Sequence, residues 1–329
     1  INYTTMRIKL FLLIFVLACT SASYSQVGRS KNYKKSSSNF TSSRKFWKSY
    51  RQEIALGIGV SNFLGDLGGL NRIGTDYSIV DLEFALTRPD LSATYRYRLA
   101  RRWAVKGGLY YGVMRGDDKL TKEPFRQNRN LHFKSNIYEL SGQLEFSFLV
   151  REQVGHRYSI KGARGFKNLD VTGYVFLGIG GFYFNPKAQY SGKWYELQPL
   201  GTEGQGIKPG TKKYSRISGA IPMGAGFKHN INRYWSINIE AGLRKTFTDY
   251  IDDASTTYYN NDIILQERGT AAAYLADPNL GNFPYQFDTT GRTADGQQRA
   301  DSKQNDSYMF VILSIAKKFT RINRTRSKF

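Results

Sequence analysis

The chain holds one cysteine, Cys19, in 329 residues, so no disulfide within it can stabilise the fold, even in an oxidising compartment. Its three histidines, His132, His156 and His229, are far apart in sequence. No HExxH, no paired metal-ligand spacing and no Ser-His-Asp arrangement joins them, which leaves no cofactor, metal or catalytic motif to assign. Beyond one apolar run near the N-terminus, no segment approaches the roughly 18 to 20 apolar residues that a membrane-spanning helix needs. Proline is sparse, at 8 residues, and acids are outnumbered, 26 against 48 Lys and Arg. What the chain has in quantity is glycine (32) and tyrosine (23), with aromatics at 15%. That profile suits many strands with close backbone approaches and interfacial aromatic girdles.

Met6-Arg7-Ile8-Lys9, the apolar run Leu10 to Ala18 and then "CTSASYSQ" form the n-region, h-region and small-residue cleavage pattern of a secretory signal. Cleavage is expected after Ser25, with small residues at Ser23 and Ser25. The alternative is lipidation at Cys19, where "VLAC" resembles a lipobox. The expected division is a signal peptide over 1–25, a basic flexible segment over 26–52, a barrel over 53–319 and a basic tail over 320–329.

Period-2 alternation gives eight candidate strands, each near the nine to eleven residues that a tilted transmembrane strand requires. In "EIALGIGVSN", Ile54, Leu56, Ile58 and Val60 oppose Ala55, Gly57, Gly59 and Ser61. In "LSATYRYRLA", Leu91, Ala93, Tyr95, Tyr97 and Leu99 oppose Ser92, Thr94, Arg96 and Arg98. Further strands run from Trp103 to Val113, Tyr138 to Phe148, Ile217 to Phe227 and Trp235 to Arg244, with "SYMFVILSIAKKF" last. "VTGYVFLGIGGFYF" is apolar or glycine on both faces, so its register is open. The connections "ARR" and "NINRY" are tight, whereas those after strands one, three, five and seven are long and polar. The span from Arg151 to Asp170 breaks this pattern, being long for a periplasmic turn.

Alternation alone does not say which face points outward, and a soluble barrel would carry its apolar face inside. The identity of the polar face decides. Arg96, Arg98, Lys106, Glu139, Glu145, Glu240 and Arg244 alternate with small residues, as in a lumen where charges pair, and the bulky apolar residues fall where lipid would lie. The expected fold is therefore all-β: an eight-stranded antiparallel up-and-down transmembrane barrel with long extracellular loops, facing outer-membrane lipid.

The net charge of +22 is concentrated at the ends of the chain. "VGRSKNYKKSSSNFTSSRKFWKSYRQ" carries eight Lys or Arg and no acid, among them Lys31, Lys34, Lys35, Arg44, Lys45 and Lys48. The C-terminal Arg321, Arg324 and Arg326 and the turn residues Arg101 and Arg102 extend the same sign. Both tails and that turn belong on the periplasmic side of such a barrel, where an acidic protein face or anionic lipid is the expected partner. Nucleic acid is not, since no motif for it appears and exported chains rarely meet it. "RKTFTDYIDDAS" crowds Asp249, Asp252 and Asp253 after strand seven, without calcium-loop spacing or a nearby histidine. It reads as a knot at the outer rim, its carboxylates capping backbone amides and pairing with Arg244 or Lys245.

"GVSNFLGDLGG" (Gly59 to Gly69), "WYELQPLGTEGQG" (Trp194 to Gly206), "IPMGAGFKHNIN" and "RKTFTDYIDDAS", in this order and at barrel rims, resemble the PorG-type outer-membrane barrels of Bacteroidetes over most of the mature chain. The resemblance implies a non-enzymatic part in the type IX protein secretion and gliding motility machinery, against a periplasmic ring of PorK-type lipoprotein and PorN-type subunits. The alternative is an independent outer-membrane structural barrel or, behind it, a lipid-modifying barrel enzyme.

Overall fold

The structure, a computed structural model, describes residues 50–67, 86–121, 123–151, 171–231, 234–281 and 293–319. Eight long strands carry the fold: β1 (Gln52–Leu64), β2 (Arg88–Arg98), β3 (Trp103–Asp117), β4 (His132–Arg151), β5 (Val171–Tyr190), β7 (Ile217–Asn230), β8 (Trp235–Thr246) and β9 (Ser307–Phe319). A short strand, β6 (Lys193–Glu196), pairs only with the upper end of β5. The spatial order is β4-β3-β2-β1-β9-β8-β7-β5, and a further β4–β5 pairing closes the ring. All of these pairings are antiparallel, and closure leaves no long strand with an unpaired edge.

The side-chain period of two sorts each strand cleanly. In β1, Ile54, Leu56, Ile58 and Val60 point out and are exposed, while Glu53, Ala55 and Ser61 are buried. β8 repeats the rule, with Trp235, Ile237 and Ile239 outside and Ser236, Asn238, Glu240 and Arg244 inside. Leu56 at 67% exposure, Ile58 at 66%, Leu140 at 65% and Ile179 at 77% make a continuous apolar belt that water would penalise heavily. Tyrosines bound the belt above: Tyr111, Tyr138 and Tyr183 are paired across β3, β4 and β5, with ring centroids 5.1 and 6.4 Å apart. Trp103 and Phe146, 4.9 Å apart, and Trp235 bound it below. From Tyr138 to Phe146 is about 27 Å along the strand, hence about 20 Å of height at a typical tilt, near that of an outer-membrane apolar band.

The open register of β5 is resolved by its inward partners. Tyr174 and Phe176 turn into the lumen, where the Tyr174 hydroxyl donates to Glu240 at 3.0 Å and the Lys106 ammonium lies 4.5 Å from the Phe176 ring. Gly224 and Gly242, opposite each other on β7 and β8, make that possible: a Cβ on either would come within 2.7 Å of the Phe176 ring. Pro222, which has no N–H to give, sits where β5–β7 pairing is interrupted between Met223 and Ala220.

The tight connection 99–102 lies on the lower rim with the end of β7, the start of β8, the start of β1 and the end of β9. The described parts of the connections after β1, β3, β5 and β8 lie on the upper rim. They hold secondary structure that alternation does not signal: β6, a 3-10 turn (Asp118–Leu120) and the helices α1 (Pro124–Arg129), α2 (Leu197–Leu200), α3 (Asn261–Arg268) and α4 (Thr270–Ala276). A buried apolar cluster runs from the upper lumen (Met114, Phe133, Phe182, Phe310) into this cap (Leu67, Leu197, Ile251, Leu275). No described helix is long and apolar enough to cross a membrane, which says nothing of strands. The expected signal peptide, most of the basic segment, the C-terminal tail and the connection 152–170 lie outside the described residues.

Candidate functional site: the charged lumen and its cap

Inward positions of six strands bring a chain of charges together. The Arg96 guanidinium grips Glu145 with two bonds, Nε at 2.5 Å and Nη2 at 2.9 Å, and reaches Glu53 through Nη1 at 2.6 Å. Lys106 Nζ lies 2.5 Å from Glu240 and 3.3 Å from Glu145 Oε1, which it shares with Arg96 Nη2. Lys228 closes the chain by donating to Glu53. Higher in the lumen, Arg244 donates to Glu139 at 3.2 Å and to the Gly242 carbonyl at 2.7 Å, while the Tyr308 hydroxyl donates to Glu139 at 3.0 Å. The Phe310 and Tyr110 rings cover the Arg244 guanidinium at 4.5 and 5.1 Å. These groups are almost wholly buried, and each carboxylate has a cation at hand, the condition under which buried charge is tolerable.

Of the seven expected lumen residues, the structure places Arg96, Lys106, Glu145 and Glu240 in one network and Glu139 with Arg244 in a second. Arg98 lies one inward position lower and lines the mouth with Arg101, Arg102 and Lys228. Glu53 and Lys228 complete the first network and were not singled out from the sequence. The signal was there: Glu53 precedes Ala55 and Gly57 on the inward face, and Lys228 follows Gly224 and Gly226. Among the expected partner-binding residues, Arg101 and Arg102 are exposed at the lower turn. Lys31, Lys34, Lys35, Arg44, Lys45, Lys48, Arg321, Arg324 and Arg326 lie outside the described residues.

Three segments from separate upper connections interlock above the lumen. The Leu67 amide donates to Asp252 Oδ2 at 3.3 Å, and Thr202 Oγ1 donates to Asp253 Oδ2 at 2.5 Å. Glu203 Oε1 accepts from the amides of Ser255 and Thr256 at 2.8 and 3.1 Å and from Arg299 at 3.1 Å. Tyr214 donates to Asp253 Oδ1 at 2.6 Å, its ring stacked between Tyr250 and Phe184. Thus three of the four sequence stretches that carry the resemblance meet in one body.

The expected capping of amides is present, with Asp252 Oδ1 accepting from Ala254 at 3.0 Å and Asp306 Oδ2 from Ile251 at 2.9 Å. The expected pairing with Arg244 or Lys245 is not. Strand parity turns Arg244 down to Glu139, and Lys245 donates to the Asn305 carbonyl. The cation of the knot is Arg299, which also donates to the Asp253 carbonyl at 2.6 Å. Asp249, Asp252 and Asp306 face one another with Asp66 close by, and no donor meets the Asp249 oxygens at hydrogen-bonding geometry. Burial drives all three carboxyls above the usual range, Asp249 to about 8, and Asp253 to about 6. No group of three His, Cys, Asp or Glu among the described residues could hold a metal ion.

The model of a domain of unknown function, DUF6089, matches residues 40–266. No curated protein matches. Among solved structures, the chain is similar to Ail, the attachment invasion locus protein of Yersinia pestis, at 11% identity and TM-score 0.34, covering 82% of this chain and 98% of that one. It is similar to Neisserial surface protein A at 7% identity and TM-score 0.32, covering 82% and 96%. The outer membrane protein OprG of Pseudomonas aeruginosa gives 10% identity and TM-score 0.29, covering 83% and 98%.

Proposed function

We propose, for a chain that belongs to the DUF6089 family and folds as an outer-membrane-type eight-stranded barrel, a non-enzymatic role as membrane anchor and assembly component of a type IX secretion and gliding machinery. The observation that carries the structural part is the filled lumen. Arg96 and Lys106 are spent on Glu53, Glu145 and Glu240, and the cap seals the upper mouth with an apolar core, so the barrel presents surfaces rather than a channel. The outward apolar belt supports placement in the outer membrane, with the lower rim in the periplasm. The motifs shared with PorG-type barrels support the secretion reading and a partner of PorK/PorN type. The sign of the lower rim supports electrostatic docking: Arg98, Arg101 and Arg102 ring the mouth, and basic tails flank it in sequence.

The test is a pull-down from native membranes of the full chain and of a variant with Lys31, Lys34, Lys35, Arg44, Lys45 and Lys48 changed to Glu. Heat-modifiable gel migration confirms that both barrels fold. The wild type should recover the periplasmic ring proteins, less as salt rises, and the variant should lose them. Absence of ring proteins from the wild-type sample contradicts the secretion role and favours an independent structural barrel.

A further inference from the structure

Above the tyrosine row, the outer wall of the barrel carries three cations in direct cross-strand register. Arg115 on β3 faces Lys134 on β4, and Lys134 faces Lys187 on β5. Each stands four residues above its tyrosine, Tyr111, Tyr138 and Tyr183, and so shares its outward face. Like charges directly opposite on neighbouring strands disfavour pairing, so this row is at odds with the sheet that holds it unless an anion lies across it. The local acids offset it only in part, with Glu196 opposite Lys187 on β6. Glu196 is divided between Lys187 at 3.1 Å and Arg216 at 2.9 Å. Asp117, two residues above Arg115, accepts from the Lys119 amide. The Lys134 ammonium lies 5.8 Å from the Trp194 ring, which is itself exposed.

We propose that Arg115, Lys134 and Lys187 form a docking row for the phosphate groups of an outer-leaflet glycolipid of the lipid A type. Height selects a lipid over a soluble partner. Four residues above the tyrosines is about 13 Å along the strand and about 10 Å along the axis, which places the row among headgroups above the apolar core. The row also lies on the side wall, continuous with the belt, and not on the top of the cap where a soluble partner would land. Arg115 offers a planar fork to phosphate oxygens and the lysines offer point charges, while Trp194 stands beside Lys134 as a flat face for a sugar ring. The inference rests on the outer-membrane placement proposed above and is independent of the secretion role.

The experiment titrates the purified full chain in detergent with lipid A, and with the same lipid A after enzymatic removal of its phosphates, reading bound lipid by native mass spectrometry. Wild type should retain the phosphorylated form at least about fivefold better. The variant Arg115→Gln, Lys134→Gln, Lys187→Gln should fall to the dephosphorylated level, whereas Lys317→Gln on the lower rim should behave as wild type. Equal retention of the two lipids by wild type overturns the proposal, as does full retention by the triple variant or complete displacement by millimolar inorganic phosphate. Should the triple variant fail to fold, the wild-type comparison of the two lipids still decides. Failure of the membrane placement itself reads differently, as a chain that enters no lipid vesicle whatever its headgroup.

Discussion

At the scale of single residues, the fold turns on which side of a strand a charge occupies. Arg96 is only 7% exposed and holds two carboxylates, so Arg96→Met should leave Glu53 and Glu145 buried against a single cation each, Lys228 and Lys106. That should cost about 3 to 5 kcal/mol, read as a shift in a urea titration of folding into lipid, because removing one partner strands a buried charge. On the other face, Ile239 lies mid-belt opposite Phe227 and Leu313. Ile239→Arg should cost about 2 to 4 kcal/mol in the same titration, and Trp235→Arg at the lower boundary no more than about 1. Equal and small costs at both positions would mean that water, and not lipid, covers that face. These sides were legible in the sequence because charges alternating with small residues have few places to go other than a lumen. Glu53 and Lys228 are less legible because they sit at strand ends, where alternation is hardest to follow.

At the scale of elements, the eight strands were readable from period-2 patterning, and the cap was not. Its order comes from contacts between distant segments, such as Leu67 with Asp252 and Glu203 with Ser255, which leave no periodic trace. The register of β5 was hidden for a different reason: its two faces differ in what they touch, not in polarity. The cap also carries a pH dependence. Asp249 is driven up to about 8 by burial and then by Asp66, Glu203 and Asp301, with a contact to Ser255 offsetting part of the shift. Asp252 and Asp306 move the same way, burial first, then Asp66 and Asp249 for Asp252 and Asp252, Asp249 and Asp66 for Asp306; Arg129 tempers Asp252. A carboxyl raised in the folded state binds protons that the unfolded chain has already lost above about pH 4. Cap stability should therefore fall as pH rises from about 4 to 8. Hydrogen exchange of the Ile251 and Ala254 amides, corrected for intrinsic rates, should show faster local opening at pH 8.5 than at pH 5, with Asp249→Asn flattening the difference. Protection independent of pH would show that these carboxyls stay charged and are satisfied in another way.

At the scale of the whole molecule, polarity is inverted about the barrel wall: apolar outside, charged inside, with an ordinary apolar core confined to the upper lumen and the cap. An inverted wall is stable only in lipid, and an eight-stranded lumen is just wide enough for its own side chains. On the proposed reading, function then belongs to the surfaces, the basic lower rim towards the periplasm and the cationic row above the belt. The sequence signalled the lower rim through charge alone, whereas the upper row needed strand register to become visible. All of this depends on the lumen being closed by the paired charges of Glu53, Arg96, Glu145, Lys106 and Glu240 beneath a sealed cap. Single-channel recording of the purified full chain in planar bilayers tests that most directly. The filled lumen predicts a current that stays at the baseline of the bare bilayer after insertion is confirmed by protease protection. Steady, long-lived conductance steps from the inserted protein would contradict it.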